Sequence, residues 1–375
     1  MAAVQIYASF EQLPQAVCDL FEEAGSKCFF HSLPWYRTFV ENALDASDRV
    51  RLYCVDSPHQ PGTSGAAIVT CVRGRGSSPL GARHLHSLSN YYTSLFSPVW
   101  EKDGVQYAAG ALANAIASDS ARWDVVELKP LDVNSPLFGA MVSAFDSAGF
   151  LVQTFFCFGN WYLPVSGRTF AEYEESLPPA VRNTLSRKKK RLERSGNARI
   201  EIITGGEQLD ASIRAYEAVY GASWKKPEPF PTFVPALMRT CAEMGSLRLG
   251  IVYVDGQPAA AQFWIVHNGI ASIYKLAYDE RFLGLSVGTI LTAKLMERVL
   301  DVDKVREIDY LSGDDKYKQD WMSHRRERWG IMAMNRWTLH GALSITRHLG
   351  GRALKRGLVS ITRLGRKPGQ TAILG

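Results

Sequence analysis

The spacing of apolar residues switches repeatedly between the 3.6-residue period of an amphipathic helix and the short alternating or unbroken runs of a strand. Residues 10–24 and 33–44 carry the helical period, and Pro34 suits a first helical turn. Two strand-like runs follow, 50–55 and 66–73, separated by the turn-rich DSPHQPGTSG. The segment 84–99 is aromatic and polar and has no clear period. Beyond it come helix-like 105–117, strand-like 123–128, helix-like 135–148 and strand-like 151–158. That alternation predicts an α/β layered arrangement.

A composition shift divides the chain. TFAEYEESLPPAVRNTLSRKKKRLERSGNARI holds an acidic amphipathic turn, a Pro-Pro stop and a strongly basic helix over 181–195, with Gly196 placed to end it. After this connector the pattern predicts a strand at 200–204, a helix at 207–221, the loop SWKKPEPFP, a helix at 232–244, and a hairpin of 247–254 and 259–267 around Asp255-Gly256. The next stretch, IASIYKLAYDERFLGLSVGTILTAKLMERVL, runs from a strand (270–278) through a loop with Gly284, Ser286 and Gly288 into a helix from 289 to 300. Backbone N–H groups at such a helix start can hold an anion. A strand at 305–311 completes the second unit. RLYCVD with GAAIVTCVRG rhymes with RLGIVYVDGQPAAAQFWIV, and WDVVELKPLD with VREIDYLSGDD, as two copies of one fold would. The expected division is 1–160, a connector at 161–199, a catalytic half at 200–335, and a basic tail at 336–375.

Composition narrows the functional classes. Six cysteines lie far apart, without C-x-x-C pairs or histidines at zinc spacing, which argues for reduced thiols and against a structural metal. No basic-then-apolar leader opens the chain, and no window approaches eighteen unbroken apolar residues, so the expectation is a cytoplasmic protein. The net charge of +6 sits at the end: nine Arg/Lys and no acid follow position 327, leaving the body mildly acidic.

Four segments together resemble the GNAT acyltransferase superfamily, and within it the tandem FemAB-like and CelD-like (BioF2-like) branch. They are VRNTLSRKKKRLERSG, YGASWK, YKLAYDERFLGLSVGTIL and IDYLSGDDKYKQDW. The resemblance covers most of 160–325, and 1–160 only through element order. It implies an α/β (α+β) chain of tandem GNAT-like folds, mixed central sheets flanked by helices, and acyl-CoA as co-substrate, with no metal. Two adjacent strands would splay to admit the pantetheine. The superfamily's pyrophosphate loop is Arg or Gln, two residues, Gly, one residue, then Gly or Ala. Arg281, Gly284 and Ser286 fit it, with serine in the last place, and Val287 and Gly288 open the helix.

Amide formation from a thioester requires a neutral amine, a donor to the oxyanion, and a proton for the thiolate. The resemblance implies a tyrosine for that proton, which assigns Tyr317. Asp279 and Asp314 are the two general-base assignments, each equally readable as a cap. Counted on a helix, Asp314, Tyr317 or Lys318, and Trp321 share a face. Tyr220, Trp224 and Lys225 are expected to line an acceptor pocket with Lys318, and Lys275 to contact phosphate or pair with an acid.

The basic helix reads as a solvated face, as an anionic-headgroup site, or as a nucleic-acid contact; the absence of an aromatic platform argues against the last. Placed on a helix, Arg352, Lys355, Arg356 and Arg363 oppose Leu354, Leu358 and Ile361, a layout for an anionic membrane surface, although Gly350, Gly351 and Gly357 weaken it. The expected function is an N-acyltransferase, peripheral on the inner face of the membrane, that acylates a lipid (a sphingoid-type amine giving a ceramide-like product) or an envelope precursor. Two alternatives stand beside it: a Fem-like aminoacyl-tRNA-dependent transferase of peptidoglycan precursors, and a non-catalytic accessory factor of polysaccharide or lipid assembly.

Overall fold

A computed structural model describes residues 4–59, 63–73, 81–102, 104–194 and 198–347. In chain order the first half comprises β1 (Val4–Tyr7), α1 (Gln15–Lys27), α2 (Leu33–Asn42), β2 (Arg49–Asp56), β3 (Ser64–Val72), β4 (His84–Ser87), β5 (Val99–Trp100), α3 (Val105–Ala117), β6 (Val125–Asp132), α4 (Pro136–Ser147) and β7 (Phe150–Pro164). The connector forms α5 (Phe170–Ser176) and α6 (Pro179–Arg194). The second half repeats the order: β8 (Ala198–Ile203), α7 (Leu209–Gly221), α8 (Phe233–Glu243), β9 (Leu247–Val254), β10 (Gln257–His267), β11 (Ile270–Tyr278), α9 (Val287–Glu297), β12 (Glu307–Asp309), α10 (Lys316–Gln319) and β13 (His324–Asn335). Residues 339–347 are helical. The tail helix expected over 352–366 and the Gly196 stop lie outside the described residues.

Local chemistry sets several boundaries. Ser32 caps α2 by accepting from the Trp35 amide, with Pro34 in the first turn, and Thr169 with Glu172 makes a capping box on α5. Asp255 and Gly256, both at positive φ, close the β9–β10 hairpin. Elsewhere the expectations shift. The helix read at 10–24 begins only at Gln15, because Phe10–Gln12 forms its own 3₁₀ turn ahead of Pro14. The strand read at 305–311 is three residues long, ending before Leu311, which sits at φ 54°. The helix read from 289 starts at Val287 and gives way to a π-turn at Arg298–Val302.

All strands join one sheet in the order β1-β2-β3-β4-β6-β13-β7-β12-β11-β10-β9-β8, with β5 on β3. Each half runs antiparallel through four strands and then crosses over to a parallel fifth: β4 to β6, and β11 to β12. At this point the halves exchange strands. β7, from the first half, lies beside β12, while β13, from the second, lies beside β6, and the two pair with each other along the whole of β13. The rhyming segments fall on β2 and β9, β3 and β10, and β6 and β12. Position 160, the expected boundary, is inside β7.

On one face α1 and α2 meet α7 and α8 in a core shared by both halves, where Trp35 and Phe39 pack edge-on against Phe233 and Thr38 bonds Thr240 at 2.8 Å. On the other face α3 and α4 cover the first half, and α9 with α5 and α6 the second. Across the seam Arg326 of β13 binds Asp309 and Glu307 of β12 and Asn160 of β7.

Candidate active site

The site is created by a parallel pairing that stops early. β11 and β12 are in register only from Ile270–Ser272 against Glu307–Asp309. β11 continues to Tyr278 held by β10 alone, so its other edge carries unpaired backbone groups. The register against β10 slips between Phe263 and Trp264, with Tyr274 as the extra residue; such a bulge re-aims the strand beyond it. The Tyr274 hydroxyl donates to the Tyr92 carbonyl at 3.0 Å, tying the bulge to the first half.

Two cavities open at the divergence. One, of about 470 Å³, lies under α6 and α9, lined among others by Val181, Trp224, Gln262, Tyr278, Gly288, Thr292 and Trp321. The other, of about 290 Å³, lies on the shared-core side, lined by Tyr91, Tyr92, Ser94, Lys225, Lys275, Ser312, Asp315 and Lys318. Leu276, Tyr310 and Tyr317 line both. A thioester in the first cavity and an amine in the second would meet at these three residues.

The first cavity ends at the turn before α9. Asp279 Oδ1 accepts from the Arg281 amide at 2.9 Å and starts a 3₁₀ turn, Glu280–Leu285. Ser286 follows in the left-handed region (φ 56°, ψ 36°), and its hydroxyl caps nothing. A glycine, one of the two residues the superfamily pattern admits here, takes this conformation without strain. The α9 start is braced from two sides. Gln262 of β10 donates to the Gly288 carbonyl at 3.0 Å and to Thr292 at 2.8 Å, and Lys188 of α6 donates to the Gly284 carbonyl at 2.6 Å. The basic helix thus packs on the loop, with Leu185 buried beneath it.

The second cavity is cationic. Lys275 pairs with Glu228 at 2.7 Å and lies over the rings of Tyr91 and Tyr92. Burial pushes the Glu228 carboxyl up, but Lys275 together with the Tyr220 and Tyr92 hydroxyls holds it below the ordinary carboxylate range. Glu228 Oε2 is buried without a hydrogen-bond partner. The Tyr92 and Tyr220 hydroxyls interact with this carboxylate electrostatically, while donating at 3.3 Å to the carbonyls of Phe230 and Lys226. Lys318 donates to the Ser312 carbonyl at 2.6 Å, with Asp315 at 3.4 Å. Burial, reinforced by Lys275 and Lys318, depresses Lys225 to about 8.

The structure separates the residues singled out in the sequence. Tyr317, Lys225, Lys275 and Lys318 converge on the divergence. Trp224 does not face the acceptor side: it packs on Tyr278 at 4.5 Å and lines the first cavity. Tyr220 lines neither cavity. Gly288 lines the first, and Arg281, Gly284, Ser286 and Val287 form the turn ahead of it. Both base assignments are already engaged. The Arg281 hydrogen bond lowers Asp279, and Asp314, held by Arg325 at 2.8 Å and by the Trp161 indole at 2.6 Å, is lowered likewise and lines neither cavity. Asp314 does not share a helix face with Tyr317, because α10 begins only at Lys316. Desolvation by the surrounding protein and nearby Asp315 raise Tyr317 above an ordinary phenol, although the residue is 43% exposed. Sequence reasoning missed Glu228, Gln262, Tyr310 and the Tyr91–Ser94 wall; Gln262, a lone polar residue in the apolar run AAAQFWIV, was the legible signal.

Residues 179–319, from α6 to α10, match the family model described as "Acetyltransferase (GNAT) domain". No curated protein matches the chain. Among solved structures, FemX is similar at 10% identity with a TM-score of 0.60, over 90% of this chain and 98% of FemX. A conserved protein of unknown function from Bacteroides thetaiotaomicron VPI-5482 is similar at 10% identity with a TM-score of 0.56, over 88% of this chain and 100% of that one. At such identities the likeness concerns fold, and it extends over both halves. Residues 179–319 therefore carry a GNAT acetyltransferase domain, set within a two-copy sheet whose overall fold is similar to that of FemX.

Proposed function

We propose that the chain is an acyl-CoA-dependent N-acyltransferase. The observation that carries this reading is the meeting of two cavities at Leu276, Tyr310 and Tyr317, where β11 and β12 part. The pantetheine of acyl-CoA would run along the unpaired edge of β11, with its pyrophosphate on the first-turn amides of α9. Backbone N–H groups of the same edge would donate to the oxyanion. Tyr317 would give its proton to the departing thiolate and recover one from the nitrogen as the amide forms. With Asp279 and Asp314 engaged by arginines, the acceptor amine would reach the thioester neutral through its own ionisation. The first half would serve the acceptor through the Tyr91–Ser94 wall.

A membrane-borne acceptor, a lipid or envelope-precursor amine, is the version we favour. Three apolar side chains at the start of the basic tail support it: Trp337 is 80% exposed, Leu339 75% and Leu343 56%. No helix among the described residues is long and apolar enough to cross a membrane. Flotation with anionic liposomes tests this, and loss of binding on deleting 337–375 is expected. Equal partitioning would remove the membrane from the proposal.

The donor is tested by incubating the protein with acyl-CoA of graded chain length, reading bound CoA by native mass spectrometry and free thiol with an amine panel. Retention and amine-dependent thiol release are expected; neither occurring would sink the reading. The packing of the basic helix on the donor loop favours one second reading, in which the acyl group arrives on an aminoacyl-tRNA. Transfer from that donor but not from acyl-CoA would establish it.

A further inference from the structure

The second cavity holds more cation than its own carboxylates answer. Lys275 is matched by Glu228, and Lys318 by Asp315 and three backbone carbonyls. Lys225, the third ammonium, makes no ion pair among the described residues; its Nζ lies 5.9 Å from the Tyr220 ring centre and 5.8 Å from that of Trp224. Three ammoniums round one part-enclosed space carry one charge more than Glu228 and Asp315 supply, and an anion bound among them would relieve the remaining repulsion. Ser94, Ser312 and the tyrosines of the wall add neutral polar groups to the same lining.

We infer that the acceptor is an anionic amine, carrying a phosphate or carboxylate close to its amino group, and that Lys225 receives that anion while the amine faces Leu276 and Tyr317. This rests on the N-acyltransferase reading and narrows its substrate class. Lys275 and Lys318, fixed by Glu228 and by carbonyls, shape the pocket, and Lys225 supplies the unanswered charge. A free sphingoid base, which offers no anion, is poorly matched to such a cavity. A phosphate-bearing amine could come from a soluble metabolite or from a lipid headgroup; both present the same chemistry to Lys225.

Two measurements on the full chain test this. In the first, competitive acetylation of lysines by acetic anhydride across pH, read by peptide mass spectrometry, follows Lys225 with and without inorganic phosphate. Phosphate should slow modification of Lys225 and move its titration upward, whether or not the protein turns over acyl-CoA. In the second, kcat/KM is compared for O-phosphoethanolamine, glycine, phosphatidylethanolamine vesicles and the uncharged glycinamide. The wild type should favour an anionic amine over glycinamide by about tenfold or more, the effect of one charge-assisted contact. Lys225→Gln should bring that ratio near one, and Lys225→Arg should restore most of it. Preference for the vesicle arm assigns the anion to a lipid, and preference for either small acceptor assigns it to a soluble one. A Lys225 indifferent to phosphate, or a ratio unchanged in Lys225→Gln, overturns the inference. Absence of any turnover defeats the N-acyltransferase reading alone and leaves the phosphate titration to decide this one.

Discussion

Lys225 keeps its charge against burial and, secondarily, against two neighbouring ammoniums, and that cost has a stability signature. Its pKa in the fold is about 8, below the unfolded value of roughly 10.4, so below pH 8 both states are charged and the penalty is fully present. As pH rises from 8 towards 10 the folded state sheds its proton first, and the penalty fades. Lys225→Met should therefore stabilise the protein at pH 7 by about 1 kcal/mol after allowing for solvent screening, with the gain shrinking by pH 9.5; urea melts at the two values measure it. A gain independent of pH would mean that packing, not charge, is responsible. Tyr317 has the opposite character, its surroundings and Asp315 favouring the protonated phenol. Tyr317→Phe should lower kcat by about 10²-fold with little change in the KM for acyl-CoA, and full retention of kcat would take the proton role from this residue. At this scale the sequence was half legible. Tyr317 and the lysines are proposed from the resemblance and fall near one another, but what engages Asp279 and Asp314 is invisible in it: Arg281 bonds Asp279 locally, and Arg325 reaches Asp314 from another strand. The Lys275–Glu228 pair joins a strand to a distant loop, and no spacing announces it.

Elements with a clean period were read almost to the residue: α3 and β11 have the expected bounds, and the β9–β10 hairpin turns where Asp255-Gly256 predicts. Failures cluster where backbone conformation overrides period. Leu311 and Gly313 at positive φ end β12 and delay α10, and helix counting was carried across them. How two correctly read elements are fastened was equally hidden. Gln262 ties β10 to the start of α9 and accepts from the Trp264 indole at 3.0 Å. Gln262→Leu would leave the buried Trp264 indole without its acceptor, while the Thr292 hydroxyl keeps its bond to the Gly288 carbonyl, at about 1–3 kcal/mol. Because the tie positions the first turn of α9, the KM for the donor should rise more than kcat falls. Steady-state kinetics with acyl-CoA varied, beside a denaturant melt, separate the two effects. A stability loss with an unchanged donor KM would confine Gln262 to folding.

The exchange of β7 and β13 is a feature of the whole molecule that no local pattern carries, because partner choice among strands is not written in their order. The rhyme between the halves was readable, and it pointed to two folds side by side. The sheet instead gives each half the last strand of the other. β7 pairs with β12 across Tyr162–Pro164 and with β13 along nearly all of its length, while β13 also holds β6. A first half made alone would present β6 and β7 without the strand that joins them, two long edges with apolar side chains behind them. Its helices α1 and α2 would also lose α7 and α8 from the shared core, including the Trp35–Phe233 and Phe39–Phe233 packing. Residues 1–168 expressed alone should therefore aggregate or remain unfolded, and co-expression with 169–375 should recover a soluble complex with both fragments at one-to-one ratio. Size-exclusion chromatography and circular dichroism of each fragment and of the pair decide the matter. If 1–168 folds cooperatively by itself, β13 is an accessory to the first half, and the two copies are coupled through the helices of the shared core.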